Sequence, residues 1–218
     1  MNRREALGRV SILLGGSIIG AEMFLSGCKN SGSSELLSKS DISLLDEISE
    51  TIIPTTADSG GGKSAGVGAF MNRIVTDCYN KDEQKVFTEG LKQFDASCKA
   101  KYQKEFTALT DAQKAAFLTA LYQEAKQYTE TDDYKKQKEI FLKQQDDFVK
   151  AEAAKHNFGA DYLRADYPPH YFTMMRQLTL WGYFSSKEGM TKALRYVETP
   201  GRYDGAYPYK QGDKAWAL

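Results

Sequence analysis

The sequence predicts an all-α protein: a single irregular domain of about six helices with an extended, aromatic-rich C-terminal tail. Three observations carry that prediction. Apolar residues recur at three- and four-residue spacing in each segment long enough to fold, which is the mark of one buried helix face. Two of these runs stand behind a Ser/Thr-x-x-Gln/Glu pattern of the kind that caps helices. No stretch alternates apolar and polar residues over the length of a strand.

The elements follow in order. Ile42, Leu45, Ile48 and Ile52 recur at helical spacing behind Asp41, and Pro54 ends the run. Val67, Phe70, Met71, Ile74, Val75 and Cys78 form one apolar face of a second helix, and Val86, Phe87, Phe94 and Cys98 of a third. Thr110 and Gln113 make a capping box that opens a helix burying Phe117, Leu118, Leu121 and Tyr122. Between Tyr128 and Asn157 the chain is strongly charged, with only Tyr134, Ile140, Phe141, Phe148 and Val149 to pack, so a long solvated helix is expected. After Pro168 and Pro169 an apolar helix runs through Tyr171, Phe172, Met175, Leu178 and Trp181. Ser185 and Glu188 read as a further capping box, ahead of a short helix through Leu194 and Tyr196. The remaining tail is rich in Pro, Gly and Tyr without periodicity, and should drape over the surface.

Between the first two helices lies Ala57-Asp-Ser-Gly-Gly-Gly-Lys-Ser64, close in composition to a phosphate-cradling loop. Such a loop needs a buried strand before it and an acidic-ended strand elsewhere to hold magnesium. Here an amphipathic helix precedes it, so the segment reads as a helix-to-helix linker with Lys63 in solvent.

The N-terminus has a different character. Arg3 and Arg4 precede an apolar run from Val10 to Phe24, diluted by Gly15, Gly16, Gly20 and Glu22, and Leu25-Ser-Gly-Cys28 closes it. Residues 1–27 therefore read as an export signal, the paired arginines resembling the twin-arginine type that carries folded cargo. The ending resembles a lipobox, with Cys28 as the lipidation site. Residues 28–40, mostly Ser, Gly and Lys, read as a flexible tether, and residues 41–218 as the folded domain. Localisation would then be periplasmic, lipid-anchored to the envelope. The outer membrane is favoured because Lys29, not aspartate, follows Cys28.

Charge and chemistry narrow the function. Lysine plus arginine and aspartate plus glutamate balance at 29 each, so nothing draws the chain to nucleic acid. His156 and His170 lack metal-site spacing with another His or Cys, and no Cys-x-x-Cys-His occurs. His170 and Met174 share a helix face and cannot flank a haem iron from opposite sides. Asp132-Asp133 and Asp146-Asp147 sit in the charged segment, without a cleft to tune them. Cys78 and Cys98 fall about 24 Å apart along one helix from a turn near Asn80, too far for a disulfide, so both should be buried free thiols. No catalytic, cofactor or metal residue is assigned in this chain.

The densest aromatic block runs from Leu178 to Tyr209. It carries Trp181, Tyr183, Phe184, Arg195, Tyr196, Arg202 and Tyr203, residue types that anchor protein interfaces and equally well seal a domain's own core. These seven are the candidate partner interface. Two blocks, Ile48-Ser-Glu-Thr-Ile-Ile-Pro-Thr-Thr through Ala65-Gly-Val67 to Val75, and Thr179-Leu-Trp-Gly-Tyr-Phe through Ala193-Leu-Arg-Tyr and Pro200-Gly-Arg-Tyr203 to Tyr209, resemble the small subunit (subunit 3, gamma) of gluconate 2-dehydrogenase and related sugar dehydrogenases. The resemblance implies a non-catalytic helical subunit that aids export, maturation and anchoring of a glucose-methanol-choline-type flavoprotein. FAD would sit in that partner and haem c in a cytochrome c subunit that often accompanies it. The lipobox at Cys28 and the glycines at 60–62 depart from the family pattern. The alternative is a free-standing envelope lipoprotein whose aromatic tail binds carbohydrate or protein.

Overall fold

The computed structural model describes residues 36–157, 165–199, 201 and 205–217. Arg3, Arg4, Cys28, Arg202 and Tyr203 lie outside them, as do the export signal and most of the tether. Among the described residues there are six α-helices and no strand: α1 (Lys39–Ile52), α2 (Val67–Asp77), α3 (Lys81–Tyr102), α4 (Asp111–Tyr128), α5 (Asp132–Ala154) and α6 (Tyr171–Phe184). A 3₁₀ turn, Phe106–Ala108, joins α3 to α4, and a π turn, Gly189–Ala193, follows α6. None of these helices is long and apolar enough to cross a membrane.

Each boundary has a local cause. Ser38 caps α1 in a reciprocal box with Asp41, Asn80 caps α3 with Glu83, and Thr110 caps α4 with Gln113, as its sequence spacing predicts. The start of α1 corrects the expected tether. Ser38 is already its cap and Leu37 is only 2% exposed, so folded structure begins before Asp41. The signal, Ser-x-x-Asp ahead of an apolar run, is present in the sequence.

The architecture is organised around α6, which packs against α1, α2, α3 and α4. Phe172, Met174, Met175, Leu178, Thr179 and Tyr183 are all buried, so this helix is apolar almost all round and behaves as a core element. It crosses α3 tightly, where a Cβ on Gly90 would stand 2.2 Å from Tyr171 Cβ. Only glycine allows the two backbones to approach so nearly. Beside this helix, Phe94, Phe106 and Phe117 meet in edge-on contacts at 5.1 and 5.2 Å between ring centroids. Each buried ring of this kind stabilises the fold by about 1.5–3 kcal/mol through area removed from water.

Three further expectations are corrected. Cys98 is buried, but Cys78 stands exposed just beyond the end of α2; both are free thiols. The expected helix through Leu194 and Tyr196 is a π turn that ends at Ala193, closed by Leu194 N–H donating to Gly189 O at 2.8 Å. The expected box of Ser185 and Glu188 does not form: Ser186 Oγ accepts from Gly189 N–H, and the Glu188 carboxylate turns elsewhere. The tail returns to this turn. Arg195 N–H donates to Ala215 O and Ala217 N–H to Arg195 O, both at 2.8 Å, in an isolated bridge between Arg195 and Trp216.

Candidate functional site

The two motif blocks, more than a hundred residues apart in sequence, meet at the C-terminal end of α6. The loop between α1 and α2 supplies one side of the junction and the segment from Tyr183 to Lys192 the other. Tyr183 OH donates to Gly60 O at 2.8 Å, and Gly60 N–H donates to the Glu188 carboxylate. Glu188 also pairs with Lys192 at 3.0 Å. The backbone N–H bond from Gly60 and the Lys192 ammonium together hold the Glu188 carboxyl below its ordinary range.

From α1, Glu50 reaches into the same loop. Its carboxylate accepts from Thr55 N–H at 2.8 Å, Thr55 Oγ1 at 2.7 Å and Lys63 N–H at 3.0 Å. Burial pushes the Glu50 carboxyl up, but these bonds to the ionised form outweigh it and leave the group below its ordinary value. Gly61 N–H donates to Thr55 Oγ1 and Gly62 N–H to Ile53 O, each at 2.9 Å. The amides of residues 60 to 63 are thus all committed to the protein's own acceptors, where a phosphate-binding loop offers them to a ligand. The linker reading holds, with a physical reason: the loop is a clasp closed by two carboxylates. Gly62 is required by closeness, since a Cβ there would stand 2.6 Å from the Ser49 carbonyl carbon. Lys63 is largely in solvent but pairs with Glu47, which also binds Lys114 of α4 at 3.1 Å.

The junction leaves an aromatic surface beside it. Trp181 is 56% exposed and Phe184 is 42% exposed, one helical turn apart on the outer face of α6. Phe70 of α2 supports Trp181 edge-on at 5.3 Å. Tyr196 is exposed just beyond the π turn. Arg195 is half-buried: its guanidinium lies 4.6 Å from the Trp216 ring centroid and 5.5 Å from that of Tyr207, with Asp213 at 3.7 Å. Tyr183 is a correction to the candidate interface. It is 2% exposed, because two residues on from Trp181 a helix has turned to its opposite side, and there the ring enters the core.

Sequence reading missed Glu50, Glu188 and Phe70 as parts of this junction. A side-chain contact between residues 60 and 188 has no local signature, whereas the separation of Trp181 and Phe184 from Tyr183 follows from helical period alone. The remaining chemical candidates scatter. His170 is the N-cap of α6, its Nδ1 accepting from Phe172 N–H at 3.2 Å, while Met174 is buried in the core. Asp132 and Asp133 stand exposed in the first turn of α5, and Asp147 is exposed further along. No group of three or more His, Cys, Asp or Glu among the described residues is placed to hold a metal.

No match is found among curated proteins or solved structures. Residues 39–201 match the family described as Gluconate 2-dehydrogenase subunit 3. That span begins with α1 and includes the glycine loop, α6 and the π turn, so both halves of the junction fall within it. The chain belongs to the gluconate 2-dehydrogenase subunit 3 family.

Proposed function

We propose that this chain is the non-catalytic small subunit that escorts and anchors a flavin-dependent sugar dehydrogenase of the glucose-methanol-choline type. Family membership makes it an accessory subunit of a dehydrogenase complex. In the finer reading, Arg3 and Arg4 direct export of the folded pair, and lipid on Cys28 tethers it to the periplasmic side of the envelope. FAD belongs to the partner and haem c to a cytochrome c subunit.

The observation that carries this reading is the junction. The two motif blocks are spent on building a rigid clasp, and the clasp holds Trp181 and Phe184 outward on a helix whose other faces are fully packed. Aromatic side chains pre-positioned on a rigid element lose little entropy on binding, and they are what a docking surface needs. Affinity purification of the tagged full-length chain from detergent-solubilised native membranes tests the proposal. The expected result is a co-purifying flavoprotein that oxidises a sugar or sugar acid. Recovery of the chain without any oxidoreductase would contradict it.

A further inference from the structure

At the opposite end of α6, about 20 Å from the junction along the helix, a second feature is independent of the docking surface. A cleft of about 480 Å³ opens between α3, α4, α5 and the Pro168-Pro169 segment. Its size is that of a small-molecule or side-chain site. Asp82, Glu89 and Glu124 stand on its lining against a single ammonium, Lys85. Asp82 and Glu89 form no ion pair with any described residue, and the nearest basic group to Glu124 is His170. His170 is neutral, since its Nδ1 accepts a backbone N–H, and the proton therefore sits on Nε2. Nε2 is 3.8 Å from Glu124 Oε1, beyond hydrogen-bond reach, on a side chain only 8% exposed that lines the cleft. Beside it Tyr171, also on the lining and 5% exposed, has a buried hydroxyl without a hydrogen-bond partner, an uncommon state that points to a missing one. Rings complete the wall: Tyr128 packs edge-on to His170 at 5.4 Å, and Tyr171 lies 4.3 Å from His170.

The chain itself shows what such a set of groups binds. Around Arg195, two rings and a carboxylate enclose a guanidinium, and Arg176 likewise lies 5.2 Å over Tyr122. The cleft repeats those elements with three carboxylates and adds a hydrogen-bond donor. We propose that it is a binding site for an arginine residue of another polypeptide. Glu124 and Glu89 hold the guanidinium, the Tyr128 ring flanks it, and His170 Nε2–H donates to the carbonyl of the same residue. Guanidinium suits carboxylates paired with ring faces better than a compact ammonium does, because it is planar and weakly hydrated. A carboxylate-bearing ligand is disfavoured by the excess of negative charge on the lining.

The test is titration of the full-length chain in detergent with N-acetyl-arginine amide, followed by ¹⁵N shifts of the His170 ring. With only two histidines in the chain, His156 is the internal control. The expected result is a saturable shift at His170 with a millimolar Kd, weakened about tenfold or more by Glu89→Gln with Glu124→Gln, as loss of a charge-assisted pair requires. The neutral citrulline analogue, of the same shape, should leave the ring unmoved. Circular dichroism melts of the double variant establish that it is folded, since Glu124 is 55% exposed. Three results would overturn the proposal: no saturable shift, the same affinity in the double variant, or an equal response to the citrulline analogue. Each is separable from the family reading, because co-purification of a dehydrogenase depends on the other end of α6.

Discussion

Helices α5 and α6 are the most unlike regions of the molecule. In α6 eight of fourteen residues are buried, while in α5 only Tyr134 of twenty-three is, so one helix carries the core and the other lies along its outside. Their sequences differ accordingly. Tyr171-Phe-Thr-Met-Met-Arg-Gln-Leu-Thr-Leu-Trp-Gly-Tyr-Phe184 is apolar on nearly every face, whereas α5 alternates lysines with carboxylates and leaves Ile140, Leu142 and Phe148 exposed. What the difference teaches is that exposed apolar side chains on the two helices are not equivalent. Those of α5 sit on a helix held mainly by contacts such as Tyr134 and Phe141 with Tyr167 at 5.3 and 5.5 Å. Those at the end of α6 stand on a helix packed against α1, α2, α3 and α4.

If that comparison is right, truncation should separate the two helices sharply. Leu178→Ala in α6, at a site 2% exposed, should cost about 2–5 kcal/mol in chemical denaturation through lost burial and the cavity left behind. A cost near that of a surface substitution would break the distinction. The clasp that fixes the end of α6 ranks next. Glu50→Gln removes the charge from three hydrogen bonds inside the glycine loop and should destabilise by about 1–3 kcal/mol. Hydrogen exchange at the amides of residues 61 and 63 should rise with it.

The N-terminal end of α6 sharpens the comparison through pH. Burial lowers the His170 pKa from its ordinary 6.5, with Glu124 opposing only in part. The unfolded chain then takes up a proton at a pH where the folded chain does not, so this contribution is intact above 6.5 and is lost as pH falls from 6.5 toward the depressed folded value. Melting midpoints should decline over that window, ahead of the separate loss below 4.5 as Glu47 and Glu50 become protonated. His170→Asn keeps a good helix cap and should flatten the upper window with little cost at neutral pH. The smallest effect belongs to α5: Phe148→Ala, at an exposed position, should shift stability by no more than about 0.5 kcal/mol.

The helices themselves were legible because their causes are local. Apolar spacing marks α1 to α4 and α6, Pro54 and Pro168-Pro169 mark breaks, and the density of charge in α5 marks it as solvated. The site was legible only in part. Trp181, Phe184, Arg195 and Tyr196 could be named from residue type, but assigning Tyr183 with them overlooked the 100° that each helical residue turns. The contacts that position the site could not be read at all. Gly60 with Glu188, Tyr183 with Gly60 and Lys114 with Glu47 join residues 67 to 128 positions apart, and nothing in either segment alone specifies its partner. Cys78 illustrates the same limit on a small scale, since a residue on an apolar face emerges into solvent once the helix has ended.

The central claim, that the end of α6 is where the catalytic partner docks, is tested most directly by one paired pull-down. Tagged full-length chains carrying Trp181→Ala with Phe184→Ala, or Ile140→Ser with Phe148→Ser, are recovered from native membranes and the dehydrogenase bound to each is quantified. Both pairs lie at exposed positions, so both proteins should fold. The account predicts loss of the dehydrogenase from the first and its retention by the second. Full retention by the Trp181/Phe184 pair would contradict it.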